Sequence, residues 1–208
     1  MMREIVTRER TSMHLSRAFF EQDTVTVAKA LLGHCFVRRE PDGRVTAGRI
    51  VETEAYCGYS DPACHSYKGK SARTRAMFGP RGHAYIYLIY GMYNCLNVVS
   101  GPPGEPEAVL IRALEPVDGF DLMEARRGTD KIKQLMSGPG KLCMAMDICR
   151  GLYGVDLLDE NSALYLQPGS PPPEHIASKR VGIDYAGEAA DWPWRFSVKG
   201  SPFVSVKV

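Results

Sequence analysis

Two pairs of β-type segments joined by short turns constrain the fold of this chain more than any other feature. Residues 34–39 and 46–56 flank a turn at 41–43, and residues 83–89 and 95–100 flank a tip at 90–94. Gly91 and Asn94 can supply positive φ at that tip. Connections this short permit only antiparallel pairing. The sequence therefore predicts an antiparallel sheet with a protruding β-hairpin.

Helical segments flank these strands along the chain. Asp23 can cap a helix that begins at residue 24, and Gly33 can end it. The predicted helices cover residues 24–32, 118–127, 131–136 and 141–147. Further strands are predicted at 108–114, 163–167, 180–184, 195–199 and 203–206. We expect a single mixed α/β (α+β) domain over residues 1–208, with an antiparallel barrel-like sheet, flanking helices and a flexible N-terminal arm at 1–13.

Composition limits the class of protein. The chain has 208 residues, 44% of them hydrophobic, which suits one globular domain. No apolar run approaches the roughly 20 residues of a membrane span, and the N-terminal segment lacks the apolar core of a signal peptide. The six cysteines form no C-x-x-C pair and no zinc-ligand pattern. We therefore expect a cytoplasmic protein with reduced thiols, without a metal or a membrane partner.

Charge is distributed unevenly along the chain, although the net charge is only +2. Residues 62–104 contain no Asp or Glu. The positive charges of this stretch are Lys68, Lys70, Arg73, Arg75 and Arg81. Such a stretch is typical of a surface that binds a polyanion. Charge alone leaves a solvated basic loop as an equal alternative.

A strand with two acids and an aromatic residue is the first candidate for chemistry. Glu52, Glu54 and Tyr56 are two residues apart, so they share one face of the strand 46–56. An acid beside an aromatic surface, just before a long loop, can serve as a base next to a stacked substrate. The alternative is a solvent-facing strand edge with ordinary charges. Strand periodicity does not choose between Glu52 and Glu54.

Other candidates are single residues in unusual places. Arg112 interrupts an apolar strand and needs a partner or a polar site. Tyr90 and Met92 occupy the hairpin tip, where apolar side chains are hard to bury and often anchor a partner. The strand 83–89 places Tyr85 and Tyr87 on one face, for which burial in the core is the favoured interpretation.

The ordered set of motifs resembles the alkyladenine DNA glycosylase family. The resemblance includes Glu-Thr-Glu-Ala-Tyr at 52–56, Tyr-Gly-Met-Tyr at 90–93 and Ser-Gly-Pro-Gly-Lys at 137–141. The matching segments are 15–33, 50–56, 65–66, 73–78, 85–93, 109–116, 137–143, 180–183, 186–188 and 200–205. Each segment alone is weakly specific, but together they span nearly the whole chain in order.

The resemblance implies a mechanism. Glu54 is the base that deprotonates a water, and the water attacks C1′ of the sugar through a cation-like transition state. Arg112 and the backbone carbonyl of Val181 hold this water with Glu54. No lysine is placed as a nucleophile, so the enzyme is expected to be monofunctional, to need no cofactor and to leave an abasic site.

The resemblance also implies how damaged double-stranded DNA is bound by a monomer. Tyr90 inserts into the minor groove after the damaged purine flips out, with Met92 beside it. Tyr56 and Tyr87 enclose the flipped base. His65 lies at the edge of the base, and Asn97 opposes the 2-amino group of normal guanine. The phosphate contacts are expected from Arg73, Arg75 and Lys141.

Three alternatives remain open. The same fold could bind damaged DNA without chemistry. A barrel domain that modifies RNA or tRNA would leave the acids and Tyr56 unexplained. A structural or metal-binding protein that uses the cysteines is disfavoured by their spacing.

Overall fold

One antiparallel sheet organises the molecule. The computed structural model describes residues 15–170 and 174–207, so the predicted arm lies outside the described residues. The strands within them are β1 Cys35–Arg39, β2 Val45–Cys57, β3 Ala84–Ile89, β4 Tyr93–Val99, β5 Glu107–Asp118, β6 Leu164–Gln167, β7 His175–Ser178 and β8 Arg195–Val198. The main strand order is β3-β4-β5-β2-β1-β6, and β8 pairs with β2 and β7. The sheet is not closed into a barrel, because β3 and β6 stand at the two ends of this order and do not pair with each other.

Short helices pack against the central strands. They are α1 Thr24–Ala30, α2 Phe120–Arg127, α3 Ile132–Leu135 and α4 Pro139–Ala145. The Asp23 side chain accepts a hydrogen bond from the Thr26 backbone N–H at 2.9 Å, and Gly33 follows with φ of 86°. The predicted start of α1 is thereby confirmed. Helix α1 packs against β2 and β5, and α4 packs against β4 and β5.

Two predicted strands in the last third of the chain are wrong. In the predicted strand 180–184, residues 181–182 are bends and residue 184 begins a 3₁₀ helix. The segment 203–206 contains a turn and bends, and the strand missed by the prediction is β7. The physical reason is the same in both segments. The Val181 and Ser205 backbone N–H groups donate to the buried carboxylates of Glu54 and Glu52, so they are not available to a neighbouring strand.

The hairpin of β3 and β4 is confirmed, but its tip is shorter than predicted. Tyr90 and Gly91 have positive φ, at 53° and 71°. Asn94 lies in β4 opposite Leu88 and does not turn the chain. A tyrosine in the left-handed region is uncommon and strained, which marks the tip as a specialised feature.

Two of the three buried hydrophobic clusters of the described residues contain strand residues. The larger one joins α1 and α4 to the sheet through residues such as Phe36, Ile50 and Leu114. The smaller one contains Tyr85, and Tyr56 and Tyr87 pack against it. No helix in the described ranges has the length and hydropathy that a membrane crossing requires. All six cysteines are unpaired.

Candidate active site

The two acids of β2 are buried at the centre of the sheet. Glu52 and Glu54 are 0% exposed, which excludes the solvent-facing strand edge. At this point β2 pairs with β5 on one side and β8 on the other. Both carboxylates reach one guanidinium, because Arg112 Nε lies 3.1 Å from Glu52 Oε1 and Arg112 Nη1 lies 3.3 Å from Glu54 Oε1. The expected common face is therefore confirmed.

Glu54 has a partner on three sides. The Val181 backbone N–H donates to Glu54 Oε1 at 2.8 Å, and the Tyr56 hydroxyl donates to Glu54 Oε2 at 2.9 Å. Arg112 supplies the third contact. A carboxylate offers about four acceptor sites, so about one remains on Oε2. This geometry leaves room for one further donor, such as a water.

The protonation states of these partners follow from their surroundings. Burial raises the pKa of the Tyr56 hydroxyl well above its ordinary value of 10.0, and the Glu54 charge adds to the effect. Tyr56 is therefore a neutral donor at physiological pH. Burial opposes the charged form of Arg112, but Glu54 and Glu52 outweigh it and raise the pKa of that guanidinium. Arg112 stays cationic.

A cavity of about 290 Å³ opens in front of this carboxylate. Its lining includes the four predicted base-binding residues, Tyr56, His65, Tyr87 and Asn97, together with Arg112, Val181 and Tyr90. Its volume is near the lower end of the range of roughly 300–1,000 Å³ for small-molecule sites. Glu54 itself does not line the cavity, whereas its three partners Arg112, Val181 and Tyr56 do.

Tyr85 and Asn97 give the cavity a second, polar wall. The Asn97 side-chain amide donates to the Tyr85 backbone carbonyl at 3.0 Å, and Asn97 is 3% exposed. Tyr85 is buried, as the core interpretation predicts, but it also lines the cavity. Its hydroxyl lies 3.0 Å from His65 Nδ1. The ring of Tyr85 thus belongs both to the core and to the site.

His65 is neutral at physiological pH although part of the residue is exposed. Its ring packs edge-on against Tyr87, with centroids 4.5 Å apart. Burial of the ring and the nearby Arg73 guanidinium lower the pKa of His65 from its ordinary 6.5 to about 4. The His65 side chain therefore presents a neutral imidazole to the cavity.

Replacing His65 with asparagine should leave the shape of the pH–rate profile unchanged between about pH 5.5 and 8. The folded pKa lies below the unfolded value, so the unfolded chain binds the proton more readily. His65 therefore lowers stability only as the pH falls from about 6.5 towards 4. An inflection near pH 6.5 that is present in the wild type and absent in His65→Asn would contradict this assignment.

Tyr56 and Tyr87 each have an arginine against the ring. The Arg180 guanidinium lies 4.7 Å from the Tyr56 centroid, and Arg73 lies 5.0 Å from the Tyr87 centroid. Arg180 is wholly buried and forms a bidentate pair with Asp61, at 2.5 and 2.8 Å. The sequence does not predict this pair, because nothing in the local pattern around Asp61 indicates a partner.

The hairpin tip projects beside the mouth of the cavity. Tyr90 is 83% exposed and Met92 is 66% exposed, so neither is held in the fold by burial. Lys141, at the start of α4, is exposed next to the hairpin and shares a surface groove with Tyr93. Arg75 is exposed in the 3₁₀ helix Arg75–Phe78. The predicted DNA contacts thus lie on exposed side chains.

One predicted surface cation is used inside the fold. The Arg81 Nε donates to the Ser100 carbonyl at 3.1 Å, and the Arg81 carbonyl accepts a bond from Arg17. Across residues 15–170 and 174–207, no three His, Cys, Asp or Glu side chains are grouped to hold a metal ion. The stretch 62–104, which contains no Asp or Glu, therefore has one arginine bonded within the fold, Arg81, and exposed arginines at 73 and 75.

Comparison with known proteins identifies the family to which this sequence is similar. The sequence model of the methylpurine-DNA glycosylases matches residues 18–202. A relative from Methanoculleus marisnigri is 55% identical over 197 residues, which cover 93% of this chain and 99% of the relative. Relatives from Methanocella arvoryzae and Clostridium acetobutylicum are 53% and 47% identical, over 92% and 93% of this chain and 95% and 98% of their own length. All three carry the provisional name 3-methyladenine DNA glycosylase.

Proposed function

The chain belongs to the methylpurine-DNA glycosylase family and is a DNA glycosylase of base-excision repair, and we propose that Glu54 is the base of its reaction. The observation that supports this assignment is the buried Glu54 carboxylate, which is held by three residues that line a small aromatic cavity, Arg112, Val181 and Tyr56. The substrate is a damaged purine in double-stranded DNA. The product is an abasic site.

The proposed reaction is hydrolysis of the N-glycosidic bond. A water on the remaining acceptor site of Glu54 loses a proton to that carboxylate and forms a bond to C1′ of the sugar. The bond between C1′ and the base nitrogen breaks, and its electron pair leaves with the base. Arg112 and the Val181 backbone N–H bond to Glu54, and Arg112 and the Val181 backbone carbonyl would hold the water.

We propose that the enzyme is monofunctional. A lyase step needs an amine that can form a Schiff base with C1′. Among the described residues that line the cavity there is no lysine, which supports hydrolysis by water. The DNA strand is then left uncut.

Base selection rests on the two tyrosines and Asn97. Tyr56 and Tyr87 would stack against the flipped purine, and a positively charged base gains roughly 0.5–2 kcal/mol over an aromatic face. A charged base is also a better leaving group. Asn97 is fixed by its bond to the Tyr85 carbonyl, so it would oppose the 2-amino group of guanine at a constant position.

Base flipping would use the hairpin. Extrusion of a purine costs a few kcal/mol, and less for a damaged pair. The exposed Tyr90 can fill the vacated space, with Met92 beside it. Arg73, Arg75 and Lys141 are exposed and would contact phosphates. Each such contact would add about 0.9 to the steepness of the slope of log binding constant against log salt concentration.

Removing the Tyr90 side chain should weaken excision without weakening the fold. Tyr90→Ala loses a stacking contact of about 1–3 kcal/mol, so binding to a lesion duplex should weaken about five- to 150-fold. The measurement is excision and binding by Tyr90→Ala beside Tyr165→Ala, whose ring lies on β6 at the other end of the sheet. Equal effects from both variants would contradict a role for the tip.

The direct test of the function is base release from duplexes that each hold one lesion. Hypoxanthine and ethenoadenine are tested singly, with methylated DNA in parallel, and abasic sites are cut with hot alkali. Cuts only after alkali are the expected result. Cuts without alkali would contradict monofunctional chemistry. Tight binding without release from any lesion would favour a damage-binding module.

The oligomeric state and the cellular location are also proposals. We infer action as a monomer from the family resemblance, and gel filtration of the free and DNA-bound protein tests it. A cytoplasmic location accords with six unpaired cysteines, which suit a reducing compartment.

A further inference from the structure

A second buried carboxylate lies behind the proposed base. Glu52 is 0% exposed and accepts bonds at Oε1 from Arg112 Nε at 3.1 Å and from Arg195 Nη1 at 3.0 Å. The Ser205 hydroxyl donates to the same oxygen at 3.0 Å, and the Ser205 backbone N–H donates to Oε2. Both oxygens of Glu52 are therefore occupied by partners from three separate parts of the chain.

We propose that Glu52 and Ser205 are positioning residues that aim Arg112 at Glu54. This inference rests on the proposed function and extends it to two residues that touch neither the substrate nor the cavity. The assignment follows from a closed ring of contacts. Arg112 Nε bonds to Glu52, Arg112 Nη2 donates to the Ser205 hydroxyl at 3.1 Å, and that hydroxyl donates back to Glu52.

The ring determines where the remaining edge of the guanidinium points. Guanidinium is planar, so fixing Nε and Nη2 fixes the direction of Nη1. Arg112 Nη1 is the group that lies 3.3 Å from Glu54 Oε1. Loss of either anchor would let the plane rotate, and Arg112 would no longer hold Glu54 and its water in one geometry.

Charge balance explains why a second acid and a second arginine are present. The buried cluster contains two carboxylates, Glu52 and Glu54, and two guanidiniums, Arg112 and Arg195. Arg195 neutralises Glu52, so Arg112 is left to Glu54 without a surplus of buried charge. Arg195 also donates to the Val206 carbonyl at 3.1 Å. The C-terminal segment 204–206 thus closes the cluster from outside the sheet.

Ser205→Ala tests the inference with the smallest change. It removes the hydroxyl and keeps the backbone bond to Glu52. At saturating enzyme, the single-turnover rate of base release should fall about ten-fold or more, because a hydrogen bond to a charged group is lost. The half-saturating enzyme concentration should stay near wild type, and the melting temperature should fall by no more than the several degrees that this one hydrogen bond accounts for. Ser205→Thr keeps the hydroxyl and is expected to keep most of the rate.

The matched control is Ser201→Ala in the same C-terminal segment. The Ser201 hydroxyl accepts only a local bond from the Phe203 backbone N–H, at 3.3 Å. Slow release by Ser205→Ala alone, with Ser205→Thr active, supports the positioning role. Wild-type release by Ser205→Ala, or equal losses in both alanine variants, would overturn it. Glu52→Gln keeps the size of the side chain, and a folded Glu52→Gln with the wild-type rate would overturn it too.

These outcomes separate the inference from the function on which it rests. A wild-type protein that releases no base from any lesion contradicts the proposed function itself. An active wild type whose Ser205→Ala variant is equally active contradicts only the positioning role.

Discussion

Glu54→Gln should slow base release from a hypoxanthine duplex by about a hundred- to ten-thousand-fold, the range that a lost general base accounts for. Glutamine has the shape of glutamate, and its amide oxygen can still accept the Val181 bond. Its NH2 group then faces the Tyr56 hydroxyl and can donate to the phenolic oxygen. Glutamine cannot take a proton from water. Binding of the lesion duplex should therefore survive, and single-turnover kinetics beside a binding titration separate the two effects.

A surface acid on the adjoining strand is the control for Glu54→Gln. Glu115 lies on β5 and pairs with Arg49, and both side chains are partly exposed. Glu115→Gln is expected to excise at the wild-type rate. The loss in Glu54→Gln should be smaller for 7-methylguanine than for hypoxanthine, because a charged base leaves with less help. Wild-type excision by Glu54→Gln would disprove the assignment of the base.

Asp61→Asn should lower the free energy of unfolding by about 3–5 kcal/mol, a large part of the roughly 5–15 kcal/mol of a typical domain. The Asp61 and Arg180 side chains are both 0% exposed and share two hydrogen bonds. Asparagine has no charge, so the Arg180 cation would stay buried without its counter-ion. Urea unfolding of the wild type and the variant measures the difference.

An exposed pair provides the matched control for Asp61→Asn. Asp191 and Lys179 form an ion pair whose side chains are 73% and 69% exposed. Asp191→Asn should change the free energy of unfolding by about 0–1 kcal/mol. Asp61→Asn should also slow excision, because Arg180 packs on Tyr56 and directly precedes Val181. Equal free energies of unfolding for the two variants would contradict a large contribution of the Asp61–Arg180 pair to stability.

Local signals predicted the parts of the fold that depend on neighbours in sequence. The cap at Asp23 and the short turns between paired strands act within a few residues, so α1 and both hairpins were predictable. The strand period placed Glu52 and Glu54 on one face but could not separate their roles. The structure shows why, since both carboxylates contact Arg112.

The sequence pattern contains no signal for hydrogen bonds and ion pairs between residues that are far apart in the chain. Ser205 is 153 residues from Glu52, and Arg180 is 119 residues from Asp61. Ion pairs and backbone bonds across such distances have no period and no spacing rule. They also displaced two predicted strands, because the Val181 and Ser205 amides bond to carboxylates. The wrong strand predictions therefore lie next to the site.

The cavity is lined on one side by the extensively paired strand β2 and on another by the irregular segment 181–183, and we expect these two elements to differ in local stability. Glu54 lies opposite Leu110 on one side and Arg195 on the other, within the most extensively paired strand. Residues 181–183, which form the facing wall, belong to no strand or helix. Local openings begin where few backbone bonds must break together. We therefore expect the amide protons of residues 181–183 to exchange with solvent faster than those of β2.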